Sequence, residues 1–464
     1  MTVLDLLTSL RRKGVELELT DDRLVSRSAR GVLTPELDAT VRAHRAEIIS
    51  FLRDGMRERP GASPAPPIGP APRSELMPLS FTQERLWYLS QVEANPAVFN
   101  APMCLRMRGA LCVPTLRRCL NEIVSRHEAL RTTITVQDGA GFQRIHEPCG
   151  LALAEFDVGG VDPEASRAAA LALLDREASA PLDLASRPAV QATLVRSAAD
   201  DHYLLVVTHH VFTDGASITI FLDELVALYE AFVESRPSPL PRPALQFADY
   251  AAWQREWLRG PALEQQLAFW KERLAGDLPV LNLPTDHPRP AVRGSSGAKE
   301  ALRMPRATVE SLAAVARAEG ATTYMALVAL FNVLLHRHTG QEDLIIGTPV
   351  ANRTRRESES IFGYIANTLV LRTDCGGAPT FRELVRRVRD GCAGAFRHQD
   401  MPFQKIVEAL QPPRELSRTP IFQAFFTYEE VFTEPATMAD LQLSRVIVGS
   451  TVSRQEISMF LRQV

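Results

Sequence analysis

The sequence predicts a mixed α/β (α+β) chain of two similar lobes behind a small N-terminal unit. Three observations carry this. First, GMRERPGASPAPPIGPAP at residues 55–72 holds six prolines and cannot form a core, so it reads as a semi-extended linker. Second, from residue 76 onward, apolar runs of strand length alternate with apolar residues at helical spacing. Third, this texture recurs after the prolines at 237–243 and 284–290, which predicts lobes over 76–275 and 276–464 with a cleft between them. A chain of 464 residues is in any case too long for one compact core.

In the N-terminal unit, 1–54, Val3, Leu6, Leu7 and Leu10 form a helical stripe. Val15, Leu17 and Leu19 then alternate, and Asp21-Asp22 turns the chain into Leu24-Val25, which predicts a hairpin. Thr34 followed by Pro35 has the form of an N-cap with proline at the first helical position, ahead of Leu37, Val41, Ile48 and Leu52. Such a unit exposes a short sheet edge, to which a partner's extended tail can add a strand. A simple N-terminal appendage is the alternative.

In the first lobe, a strand near Ala101–Met107 precedes a helix carrying Leu116, Leu120, Ile123 and Val124, and Leu130–Val136 reads as a second strand. In the second lobe, a strand over Glu300–Met304 leads to the Val309, Leu312, Val315 helix. The apolar Tyr324–Leu335 helix and the strand Leu344–Ile346 follow.

Composition narrows the function classes. At 45% hydrophobic, 23% charged and net charge −3, the chain has no basic surface for nucleic acid. No apolar run approaches a membrane span, and MTVLDLLTSLRRKG lacks signal-peptide form. Six cysteines without CxxC spacing read as reduced core residues of a cytoplasmic protein.

The chemistry concentrates in THHVFTDGAS, residues 208–217. Tyr203–Val207 is an apolar run suited to a strand buried on both faces, and Ile218, Phe221, Leu222, Leu225 and Tyr229 follow at helical spacing. His209 and His210 therefore stand where a buried strand gives way to a loop. Adjacent strand residues point to opposite sides, which disfavours joint ligation of one metal ion. A satisfied core histidine and a general base both remain open. Asp214 fits orienting the loop, pairing with a buried arginine or tuning an imidazole. Gly215 permits a tight turn or close substrate approach.

HHVFTDG resembles the HHxxxDG motif of nonribosomal peptide synthetase condensation domains, within the chloramphenicol-acetyltransferase-like superfamily. Other motifs of that family stand in order around it: SFTQERLWYL (80–89), RHEALRT (126–132), FADYAAWQ (247–254), GTPVANR (347–353) with GYIANTLVLR (363–372), HQDMPFQ (398–404) and SRTPIFQ (417–423). DGASI differs from the DGVSW usual in epimerisation domains, and heterocyclisation domains replace the histidines with aspartates. Residues 1–54, above all DDRLVSRSARGVLTPEL, resemble tubulysin-type (TubC-type) docking domains.

This resemblance implies an ααββα-type docking domain followed by a V-shaped pseudo-dimer of two chloramphenicol-acetyltransferase-like lobes. It implies amide formation between an upstream acyl or peptidyl thioester and the amine of an aminoacyl thioester. Both would ride on phosphopantetheine arms of donor and acceptor carrier proteins, so this chain would bind no cofactor of its own. Its further partners would be the C-terminal tail of an upstream subunit and a downstream adenylation domain. By motif position His210 orients the amine or takes its proton, Gly215 offers an N–H to the oxyanion, and His209 braces the loop or assists. Asp214 pairs with Arg353, while Ser217 and Asn367 support the site. His127, Arg131 and His398 read as structural, and Trp87 and Trp253 as packing.

Two departures stand out. Ala216 occupies a position where many condensation domains carry tryptophan. RQEISMFLRQV (454–464) resembles a late strand of the family without its final hairpin and helix, so either the lobe is truncated, which would leave an exposed edge, or its last segment is unusual. The motif spelling leans towards an L-configured donor. A catalytically silent recruitment platform, an epimerisation-type domain and a stand-alone acyltransferase are the competing readings.

Overall fold

The computed structural model describes residues 10, 15–20, 23–28, 34–45, 48–49, 65–413, 415, 417–430, 436–449 and 452–463. Val3, Leu6, Leu7, Leu52 and linker residues 55–64 lie outside the described residues.

In the N-terminal unit, Val15–Thr20 and Arg23–Ser28 pair antiparallel as a hairpin. Thr34 caps the helix Pro35–Ala43 by accepting the Leu37 N–H, with proline in the first turn. Leu10, Val15, Leu17, Val41 and Ile48 form its small core.

The first lobe is built on a six-stranded sheet. Its order is Ala436–Met438, Leu441–Val446, Asn100–Arg108, Asp201–His209, Val190–Ala198, Leu153–Asp157. Asp201–His209 is central, paired antiparallel on both sides with Asn100 opposite His209. Burial on both faces accounts for its unbroken apolar run. A three-stranded sheet of Met77–Pro78, Ala140–Ile145 and Thr132–Gln137 lies beside it. The second lobe carries a four-stranded sheet ordered Asn367–Asp374, Asp343–Val350, Ala424–Glu430, Ile457–Gln463. Two extensive hydrophobic cores match the two lobes, one around Val206, Phe212 and Leu225, the other around Trp270, Phe331 and Phe426.

Four expectations require correction. Glu300–Met304 is not a strand; no neighbouring strand reaches it and Leu302 stands fully exposed. Leu130 belongs to a 3-10 turn, Glu128–Arg131, so the strand begins at Thr132. The split at residue 275 separates the lobes in sequence but not in space. Strand Leu441–Val446 pairs with Asn100–Arg108, and Ile361, Phe362 and Ile365 join the first core, so the second half reaches across twice. Cys112 and Cys149 are exposed, while the other four cysteines are buried.

Linker residues 65–73 are held against the first lobe. Ile68 is buried, the Pro66 carbonyl accepts from Trp253 Nε1 (2.8 Å), and Asp249 accepts the Ala71 N–H (2.8 Å) and pairs with Arg73. Trp253 thus does more than pack: it stacks on Trp257, and Arg355 of the second lobe lies over both rings. Among the described residues no single helix is long and apolar enough to cross a membrane.

Candidate active site

The strand Asp201–His209 ends where the chain turns into the helix Gly215–Val233. His209 is the last paired residue, and alternation sends its ring inward, where only 2% of the residue is exposed. Its Nδ1 accepts the Val211 N–H (3.0 Å), and its ring lies 5.9 Å from that of Phe99. Burial first, then the Arg454 charge, pushes its pKa down to about 3. His209 therefore braces the turn as a neutral imidazole and does not line the cleft.

His210 points the other way, into the cleft between the lobes. Its backbone N–H donates to the Phe99 carbonyl (2.9 Å), which fixes the strand end. Its Nδ1 lies 3.1 Å from the Thr213 carbonyl. A carbonyl only accepts, so Nδ1 carries the proton and Nε2 keeps a free lone pair. Burial, then the Arg454 charge, drives the His210 pKa well below the ordinary histidine value, against the opposing pull of the Thr213 carbonyl. The result is a neutral acceptor, poor at stripping an ammonium but suited to orienting a neutral amine.

Asp214 caps the helix and is 2% exposed. Oδ1 accepts from the Ser217 N–H (2.9 Å) and Oγ (2.8 Å), and Oδ2 from the N–H groups of Ile365 and Ala366 (both 3.1 Å). Arg353 Nη2 lies 2.9 and 3.1 Å from the two oxygens. The Arg353 guanidinium also donates to the carbonyls of Ser358 (2.6 Å), Ile361 (2.7 Å) and Gly363 (3.2 Å). One buried ion pair thus bolts the crossing segment of the second lobe onto the helix that follows the histidines. Ser217 reinforces it, its Oγ accepting the Gly363 N–H (3.0 Å). Gly363 has to be glycine, since a Cβ there would lie 2.2 Å from Phe247.

Gly215 lines the cleft with open space where a Cβ would go, and its N–H belongs to a first turn without intrahelical acceptors. Asn367 borders the cleft too, but its side chain is occupied. Nδ2 donates to the carbonyls of Gln399 (2.8 Å) and Met401 (2.6 Å), and Oδ1 accepts from the Thr368 and Phe403 N–H groups. Away from the cleft, His127 Nε2 meets Glu224 (2.9 Å), Arg131 donates to the His146 carbonyl, and His398 stacks on Phe269 (4.0 Å). Trp87 packs on the first core.

The cleft, about 6110 Å³, is too large for a small-molecule pocket and suits an extended substrate. Arg85, Tyr364 and Arg454 also line it, and motif reasoning assigned none of them a role. Arg85 and Tyr364 stand inside quoted motifs and Arg454 opens the final quoted segment, so position marked them while nothing local gave them a task.

A neutral imidazole at a strand end, a capping carboxylate locked by a second-lobe arginine and a long inter-lobe cleft define an acyl-transfer domain of the two-lobed chloramphenicol-acetyltransferase-like class. Family comparison makes it specific. The condensation domain model matches residues 73–460 and the TubC N-terminal docking domain model residues 3–54. One of the linear gramicidin synthase proteins of Brevibacillus parabrevis is 44% identical over 375 residues, covering 81% of this chain and 5% of the relative. The X-domain in its complex with OxyB from teicoplanin biosynthesis superposes with TM-score 0.77 at 29% identity, covering 87% of this chain and 88% of that one. The first condensation domain of the calcium-dependent antibiotic synthetase, with a substrate analogue, shares the fold with TM-score 0.69 at 20% identity, over 83% and 87% of the two chains. The chain belongs to the condensation domain family and carries a TubC-type docking domain at its N-terminus. It spans about a twentieth of the length of that gramicidin synthase protein.

Proposed function

We propose that this chain forms an amide between an acyl or peptidyl thioester on a donor carrier protein and the amine of an aminoacyl thioester on an acceptor carrier protein. The observation that carries this reading is His210, with Nδ1 committed to Thr213 and Nε2 free on a ring that lines the cleft.

The amine enters neutral and donates a hydrogen bond to Nε2, which holds its lone pair towards the thioester carbonyl carbon. The C–N bond forms as the carbonyl π pair moves onto oxygen, and the Gly215 N–H stabilises that oxygen. Reforming the carbonyl breaks the C–S bond. The proton released from nitrogen passes through Nε2 to the departing sulfur, leaving an amide and a thiol. An aliphatic amine needs little activation, so orientation contributes more than proton abstraction. The phosphopantetheine arms belong to the carriers, and the step draws on no redox or metal chemistry. Asp214 and Arg353 act by fixing the turn between His210 and Gly215.

Residues 1–54 receive the C-terminal tail of an upstream subunit, which adds to the edge of the Val15–Ser28 hairpin. In the full-length protein an adenylation domain follows, and the protein works in the cytoplasm.

A recruitment platform is the second reading, favoured by the likeness to an X-domain whose solved complex contains OxyB. Intact-protein mass spectrometry on loaded donor and acceptor carriers separates the two. Amide on the acceptor carrier, slowed at least about 10²-fold in His210→Ala, supports condensation. Absence of product from the unaltered protein, with both carriers bound, supports recruitment.

A further inference from the structure

Arg454 precedes the strand Ile457–Gln463 of the second lobe, yet its guanidinium reaches the first. Nε (3.0 Å) and Nη2 (2.7 Å) both donate to the Val98 carbonyl. The next carbonyl along, that of Phe99, accepts the His210 backbone N–H. The guanidinium carbon lies 5.5 Å from the Phe99 ring centre. Among the described residues no carboxylate pairs with Arg454, which is half-buried and lines the same cleft as His210, on whose ring its charge acts. A cation drawn part-way out of water, with two donors spent on one carbonyl and none on an anion, carries a desolvation cost that a positioning task would offset.

We propose that Arg454 is a positioning residue for His210. It ties the Val98–Phe99 turn, and with it the histidine backbone, to the second lobe, and it presents its charge alongside the imidazole. The inference rests on the reading of His210 as the group that receives the amine.

The charges around that imidazole are asymmetric. From its own turn come neutral His209 and Asp214, the latter already committed to Arg353. The crossing segment contributes Tyr364, whose ring is 6.2 Å away and whose burial raises its pKa, keeping it neutral. Helix Phe81–Val92 contributes Arg85, also without a carboxylate partner among the described residues, its guanidinium over Phe403 at 4.8 Å. Of the two arginines it is Arg454 whose charge acts on the imidazole, so protonation of His210 is opposed from the cleft side. Arg454 thereby adds to burial, the larger cause, in keeping Nε2 an acceptor throughout the range where the amine is nucleophilic. Because the cation belongs to one lobe and the imidazole to the other, the base site is complete only while the lobes are docked.

The test compares Arg454→Gln and Arg454→Lys with the unaltered protein, following the His210 ring by NMR titration and single-turnover condensation with loaded carriers against pH. Arg454→Gln should raise the His210 titration towards the ordinary histidine range, move the acid limb of the rate profile to higher pH and slow condensation on the order of 10²-fold. Arg454→Lys keeps the cation and should leave the titration in place with a smaller rate loss. An unmoved His210 titration in a folded Arg454→Gln protein overturns the proposal. Combining Arg454→Gln with His210→Ala guards against a merely structural effect. The pair should be no slower than His210→Ala alone, and a further large loss means that Arg454 acts without His210. The NMR readout needs no turnover, so it judges Arg454 even if His210→Ala proves fully active and the reading of His210 fails.

Discussion

Replacing Arg353 with methionine should strand the Asp214 carboxylate inside the protein. The side chain volume is nearly kept, so the cost is electrostatic. Removing one partner of a buried pair generally costs about 3–5 kcal/mol. Four donors from Ser217, Ile365 and Ala366 remain on the carboxylate, which argues for the low end. Three carbonyls, of Ser358, Ile361 and Gly363, lose their guanidinium donor, which pulls the other way. The balance is about 4 kcal/mol. Unfolding entropy near 2.1 cal/mol/K per residue over the family-matched region, 73–460, gives about 0.8 kcal/mol/K, and hence a Tm lowered by about 5 °C. Thermal unfolding by intrinsic fluorescence at one scan rate reads this directly. Arg353→Lys should lose about half as much, because an ammonium cannot span the carboxylate and three carbonyls at once. A methionine variant within 1 °C of the unaltered protein, or a lysine variant identical to it, would refute the argument that this pair bolts the crossing segment down.

Two glycines of the site should differ in their response to alanine. Gly363→Ala forces a Cβ to within 2.2 Å of Phe247 and should cost about 3 kcal/mol, seen as a Tm fall near 4 °C, whereas Gly215→Ala meets nothing within 4 Å and should leave Tm unchanged. His209 should make stability depend on acid. Its folded pKa of about 3 lies below the unfolded value near 6.5, so the unfolded state binds more protons between them. Stability is then full above pH 6.5, falls by about 1.4 kcal/mol per unit as pH drops through that window, and levels off below pH 3. Denaturant titrations of the unaltered protein and His209→Gln should diverge in slope only inside it, and parallel curves would exclude a buried neutral His209.

Local patterns carried most of the framework. The apolar run into His209 and the helical spacing after Gly215 are both consequences of burial, and burial leaves its mark within a few residues. The Thr34–Pro35 cap was legible for the same reason, since the bond it makes spans three residues. Long-range pairing left no such mark. Glu300–Met304 has no β-branched or aromatic residue and no partner strand, and a segment without a partner has no ladder to join. Leu441–Val446 enters the first lobe's sheet because Asn100–Arg108 offers a free edge, a fact of topology that the run LQLSRV does not encode. Pairing of Asp214 with Arg353 followed from the family resemblance, and their 139-residue separation lies beyond any local pattern. Arg454 escaped notice because an isolated arginine near a chain end resembles any solvated one.

The anchoring of residues 65–73 on Trp253 and Asp249 changes what the proline stretch can do. Only ten residues, 55–64, lie between the docking domain and the clamped segment, a contour of at most about 35 Å. Confinement to a sphere of that radius corresponds to an effective concentration in the millimolar range. Under the proposed function, a tail held by the docking domain meets the condensation domain at a fixed local concentration, whatever the dilution of the two proteins. Weak capture suffices under those conditions.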